Sequence, residues 1–86
     1  MTTSVDTSNY VYLCMTLHFW GSGKSEAEAY RNCQRAGGGG SISKYGHLVY
    51  RVHPDFQIDD IDGAVRTPIG HPAIKVTDKR KQKQTA

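Results

Sequence analysis

From Val11 to Phe19 an apolar side chain stands at every second position: Val11, Leu13, Met15, Leu17 and Phe19. A period of two belongs to a strand, whose successive side chains point to opposite faces, so the series predicts one strand with its odd positions turned toward a core. The even positions are Tyr10, Tyr12, Cys14, Thr16, His18 and Trp20. Most of these join an apolar body to a polar tip and suit a half-wet surface, which makes the even face the expected outer one.

Gly21-Ser22-Gly23 reads as a turn out of this strand. Ser25 followed by Glu28 then forms a capping box, in which each side chain satisfies a free backbone amide, so a helix is expected from about Glu26. Ala29, Tyr30, Cys33 and Ala36 recur at spacings of three and four and form a narrow stripe of mostly small residues, suited to close packing on a sheet. Gly37 is expected to end the helix, and Gly37 to Gly40 with Ser41 predict a flexible loop reaching to about Gly46. Leu48 to His53 alternates again and predicts a second strand, halted by Pro54. A third strand is expected from Phe56 to Ile61, returning antiparallel as Ala64 to Thr67 through Asp62-Gly63, a strong hairpin signal. Pro68, Gly70 and Pro72 break regular structure, and Ile74 to Val76 predicts a short edge contact.

The predicted fold class is α+β: a single small β-α-β-β(-β) domain with one helix packed on one face of a short antiparallel sheet. The 86 residues bound the chain to one such domain. Residues 1–9 are expected to be a disordered leading segment, 10–76 the folded domain and 77–86 a disordered basic tail. Met1 to Asn9 lacks a basic start followed by an apolar stretch, and the apolar-rich run Tyr10 to Trp20 falls well short of the ~20 residues of a membrane helix. The expectation is therefore a protein of the cytoplasm that does not engage a membrane. Two cysteines, Cys14 and Cys33, are few for a small secreted domain and read as free thiols, with a bridge between them as the alternative.

The net charge of +3 loses its meaning for nucleic-acid binding once it is divided along the chain. Lys79, Arg80, Lys81 and Lys83 against Asp78 account for all of it, so residues 1–76 are neutral. A nucleic-acid reading would use this tail with Arg51 and Arg66 on phosphates, and sheet aromatics stacking on bases. The neutral body makes it the second choice.

Gly21-Ser22-Gly23-Lys24-Ser25 resembles the end of a phosphate-binding loop between strand and helix. His18 occupies the place of the first glycine, which favours a plain capped helix start. Asp55, Asp59, Asp60 and Asp62 form an acidic cluster whose spacing matches no calcium loop, and His18, His47, His53 and His71 match no zinc motif. No cofactor or metal is expected. No nucleophile signature surrounds Cys14, Cys33 or any serine, so no enzymatic activity is expected. The remaining candidate surface is a partner-binding one: Tyr10, Tyr12, His18 and Trp20 as apolar anchors, with Asp55, Asp59, Asp60 and Asp62 selecting a basic partner surface. The expected partner is another protein, with a second copy of the chain as one occupant of the face.

Trp20-Gly21-Ser22-Gly23, the helix from Ser25 to Gly37 and Asp59-Asp60-Ile61-Asp62-Gly63 together give the chain a character that resembles small phage- or plasmid-encoded accessory proteins, among them anti-CRISPR inhibitors. The resemblance spans most of residues 10–76. It implies an inhibitor acting in the host cytoplasm, occluding a host nucleic-acid-handling complex by contact alone, and it assigns no residue.

Overall fold

The computed structural model describes residues 7–59 and 63–81. Within it the period-two run is two strands rather than one. Val11–Met15 forms β1, the chain reverses over residues 16–19, and Trp20–Gly23 returns as β2, with Met15 opposite Trp20 and Cys14 opposite Gly21. Thr16 pins the reversal. Its N–H donates to the Phe19 carbonyl at 2.9 Å, and its hydroxyl donates to the Gly46 carbonyl at 2.8 Å and lies 3.0 Å from the Ser41 hydroxyl. The reversal uses Leu17 and His18, neither of them a turn-forming residue, while Gly21-Ser22-Gly23, expected as the turn, is strand.

This reversal swaps which parity faces the core. Directly opposed residues of an antiparallel pair share a face, so Tyr12 and Cys14 lie with Gly21 and Gly23, whereas Val11, Leu13 and Met15 lie with Trp20 and Ser22. The helix α1 (Glu26–Cys33) covers the first set. Its buried Ala29 and Cys33 pack with Cys14 and Val49, and Tyr12, Phe19 and Tyr30 close around them. The predicted orientation is thereby corrected: even positions of β1 meet the helix. The reason is steric. A Cβ built on Gly21 would run into the backbone of Asn32 and Cys33, 2.5 Å from the Asn32 carbonyl carbon, so glycine and cysteine admit an approach that leucine and methionine would block.

Ser25 caps α1 as expected, accepting from the Glu28 N–H at 3.1 Å, although the Glu28 carboxylate accepts from Lys24 N–H rather than from Ser25. Beyond Cys33 the expectations hold only in part. Ala36 is exposed, and the chain kinks within Gln34–Gly38, where Gly37 takes φ 110°, breaks the helix as expected and redirects the chain. The glycine run then enters a second helix, α2 (Gly39–Tyr45), where a flexible loop was predicted. Gly39 and Gly40 are poor helix formers, but Ile42 is buried in the core beside Cys33 and holds the turn in place. Gly46, at φ 80°, ends it.

Leu48–Val52 forms β3 and Ile74–Asp78, paired at the far edge, completes a four-stranded antiparallel sheet. Between them Gln57–Ile58 (β4) and Val65–Arg66 (β5) make a separate hairpin, as the Asp62-Gly63 signal predicted, so the edge strand is β6. The α+β class holds. Residues 77–81, placed in the tail by sequence, are part of the body: β6 runs to Asp78, Lys79 exchanges backbone hydrogen bonds with His47, and Lys81 N–H donates to Tyr45 at 2.8 Å.

The face away from α1 has its own cover at one end. Leu13 and Val52 lie on it by register and are fully buried. Phe56 packs edge-on against Trp20 with centroids 5.6 Å apart, the His53 and His71 rings stand 4.7 Å apart, and the Tyr10 hydroxyl donates to the Pro72 carbonyl at 3.1 Å. The excursion between β3 and β6 therefore crosses this outer face. No helix among the described residues is long and apolar enough to cross a membrane.

Candidate functional site

The excursion covers the other end of the sheet only in part, through Phe56 against Trp20. There the register aligns Trp20, Met15, Leu48 and Asp78 in one row across all four strands. Trp20 is 42% exposed, and Leu17, at the tip of the β1–β2 reversal, is 59% exposed. Met15, Leu17 and Leu48, with Tyr45 from the end of α2, line an open groove of about 590 Å³ whose charged lining is Arg80 and Lys81, and Trp20 lies beside it in the row. An apolar row that a small domain leaves open is the kind of surface that marks a contact site.

The rim charges are tied down. Arg80 donates to both Asp78 carboxylate oxygens, at 3.0 and 2.9 Å, and Lys75 reaches the same carboxylate at 3.3 Å. The Arg80 hydrogen bonds hold the Asp78 carboxyl well below the usual carboxylate range, and Asp78 in turn raises the Arg80 guanidinium. The Lys81 ammonium donates to the Ser43 carbonyl at 2.6 Å. Elsewhere Arg66 forks onto Asp59 at 3.1 and 2.8 Å, and Arg51 donates to the Thr7 carbonyl while lying over the Tyr12 ring. The cations that a nucleic-acid reading needs are thus engaged within the molecule. Lys79 exchanges backbone hydrogen bonds with His47, and Lys83 lies outside the described residues.

The predicted anchors are split up. Tyr10 is buried and Tyr12 is half-buried beneath α1, so both serve the core; His18 and Trp20 alone stand exposed, at and beside the reversal. Of the acidic set, Asp55 is exposed next to Phe56, its N–H donating to His53 Nδ1 at 3.0 Å, and Asp59 is bound by Arg66. Asp60 and Asp62 lie outside the described residues. The sequence places Met15 and Leu17 on the core face of the first strand, Tyr45 in the loop and Leu48 in the second strand. The signal that could have pointed to them is Gly21 and Gly23 two apart, which reads as a strand with one face cleared for close approach rather than as a turn.

The row itself is apolar, with Thr16, Arg80 and Lys81 as its polar neighbours. Cys14 and Cys33 are sealed from solvent, and among the described residues no group of three or more His, Cys, Asp or Glu side chains is placed to hold a metal ion. Gly21-Ser22-Gly23, extended in β2 and hydrogen-bonded from Asn32 to the Ser22 carbonyl at 2.7 Å, does not form a loop around an anion. Comparison with protein-family models, curated proteins and solved structures finds no match to this chain.

Proposed function

We propose that this protein is a non-enzymatic protein-binding module whose docking surface is the open row Trp20, Met15 and Leu48 with Leu17 and Tyr45 beside it. The observation that carries the reading is the half-covered outer face: the sheet surface that seals Leu13 and Val52 leaves Trp20 partly exposed beside Phe56, with Leu17 exposed on the adjoining reversal. Aromatic residues and methionine are enriched at the cores of protein interfaces. The charges flanking the row define the occupant. Asp55 is exposed at the Trp20–Phe56 end, and Lys44, 5.4 Å over the Tyr45 ring, stands at the other. A partner segment with apolar side chains in the middle, a basic residue at one end and an acidic residue at the other complements both. Occlusion of a host complex is this reading with the partner's identity added, and it rests on the resemblance alone.

Selection of binders from a displayed peptide library tests the proposal. Enriched peptides are expected to carry that apolar centre and those charged ends, and to lose at least about 10-fold in affinity for Trp20→Ala and Leu17→Ser, as anchors at the centre of an interface do. Peptides that bind both variants as well as the parent protein sink the surface. Sub-micromolar binding of short labelled DNA or RNA at physiological salt would replace the reading with the nucleic-acid one.

A further inference from the structure

Cys14 and Cys33 are the chain's two cysteines, and folding brings them together from β1 and the last turn of α1. Both are fully buried and free, and their sulfurs face one another closely enough for the thiols to interact. The close approach at Gly21 sets the backbone separation. A Cβ on Gly21 would sit 2.8 Å from the Cys33 Cα, and Cys14 is the residue directly opposite Gly21 across the β1–β2 pair. The two cysteines therefore stand on directly neighbouring backbones, the arrangement a disulfide needs.

We propose that Cys14 and Cys33 are a reversible redox site, oxidised to an intramolecular disulfide by a low-molecular-weight disulfide such as oxidised glutathione. Cys33 reacts first. Its sulfur is covered by Gly38, in the glycine-rich kink, whereas Cys14 lies in the middle of the sheet between β2 and β3. The Cys33 thiolate, formed by loss of its proton to solvent, attacks one sulfur of the oxidant and expels the first thiolate, leaving a mixed disulfide. The Cys14 thiolate then attacks the Cys33 sulfur, and the second thiolate leaves. Two thiol hydrogens and the sulfur–sulfur bond of the oxidant are exchanged for one protein disulfide and two small thiols, so the electrons balance. Burial raises both thiols, Cys14 to about 12, which keeps them as thiols at neutral pH and makes the reaction slow, gated by opening of the glycine turn and faster at alkaline pH. The bridge would tie α1 to β1 and close a loop that contains the Leu17 reversal and β2. This inference stands apart from the docking surface and uses none of its side chains.

The test is incubation of the full chain with glutathione buffers of graded ratio, followed by mass spectrometry and melting. Oxidation is expected to remove two hydrogens, about 2 Da, to link the peptides carrying Cys14 and Cys33 within one chain, and to raise Tm by about 10 °C, reversibly with dithiothreitol. Cys14→Val should instead retain a glutathione adduct on Cys33. A persistent glutathione adduct on the parent chain, a disulfide between two chains, or thiols that stay free at alkaline pH and in sub-denaturing urea would each overturn the proposal, and the parent chain decides the matter even if the variant does not fold.

Discussion

The two faces of the sheet are built on opposite plans. Where α1 crosses the strand pair on the helix face the side chains are small, Cys14, Ala29, Cys33 and Gly21, with Tyr12, Phe19 and Tyr30 closing around them, and the backbones of α1 and β2 touch. On the outer face they are large, Leu13, Met15, Trp20, Leu48 and Tyr50, and the cover is an irregular excursion that protects one end. Close approach of backbones excludes water by geometry and leaves no room for change, whereas large side chains under a partial cover leave an apolar row available to something else. Under the proposed function, rigidity and recognition fall to different sides of one strand pair.

The sharpest way to break this contrast is to place the same methyl group on each face. Gly21→Ala is expected to cost about 3 kcal/mol or more, because the added Cβ meets helix backbone at Asn32 and Cys33, which cannot rotate away. Ser22→Ala, one residue on and on the outer face, keeps the carbonyl that Asn32 uses and is expected to change stability by less than about 0.5 kcal/mol. Urea melts of both variants check the pair. Equal effects would mean that α1 does not rest on Gly21.

Much of the fold was legible because its signals are local. Ser25 and Glu28 mark the start of α1, the alternation at Leu48–Val52 marks β3, and Asp62-Gly63 marks the small hairpin, each through a few adjacent residues. The errors share a cause, which is that contacts distant in sequence overrode local preference. Thr16 makes a reversal out of Leu17-His18 through bonds to Gly46 and Ser41, residues that periodicity cannot link to it. Ile42 makes a helix out of glycines by filling a core whose other walls are Cys14, Cys33 and Val49. The docking row was hidden for the same reason: Trp20 and Met15 read as opposite faces of one strand until the reversal places them side by side.

The contrast between faces extends to charge, and pH sharpens it with a smaller effect. The His47 ring lies edge-on to Tyr30 of α1 at 4.9 Å, with Lys79 and Glu26 the charged groups near it. Burial, and after it the Lys79 charge, lowers its pKa in the folded protein. The unfolded chain therefore binds the proton more readily. Stability is complete above the unfolded value of about 6.5 and is lost as pH falls below it toward the folded pKa, levelling once both states are protonated. The Asp78 contribution is lost in a separate window, below the ordinary carboxylate range, so the two do not overlap. His47→Phe keeps a ring against Tyr30 and should flatten the decline between about pH 7 and pH 5 in denaturant melts. An unchanged slope would place the proton elsewhere.

The smallest effect has the opposite sign and concerns the glycines of α2. Gly39 and Gly21 differ in surroundings rather than in kind: a Cβ on Gly39 or Gly40 would meet nothing within 4 Å, and Gly40 is exposed on a helix whose single buried anchor is Ile42. Alanine there restricts the unfolded chain without a clash, so Gly40→Ala is expected to stabilise by about 0.5–1 kcal/mol. If the helical turn over Gly39–Tyr45 is formed in solution, this gain appears in melts and amide exchange slows at Gly46, whose N–H bonds the Ile42 carbonyl at 2.8 Å. A loop in that segment would show neither change, since alanine would then restrict the folded and the unfolded chain alike. The same substitution therefore distinguishes a glycine kept for space, as at Gly21, from one whose absence of side chain the fold does not use.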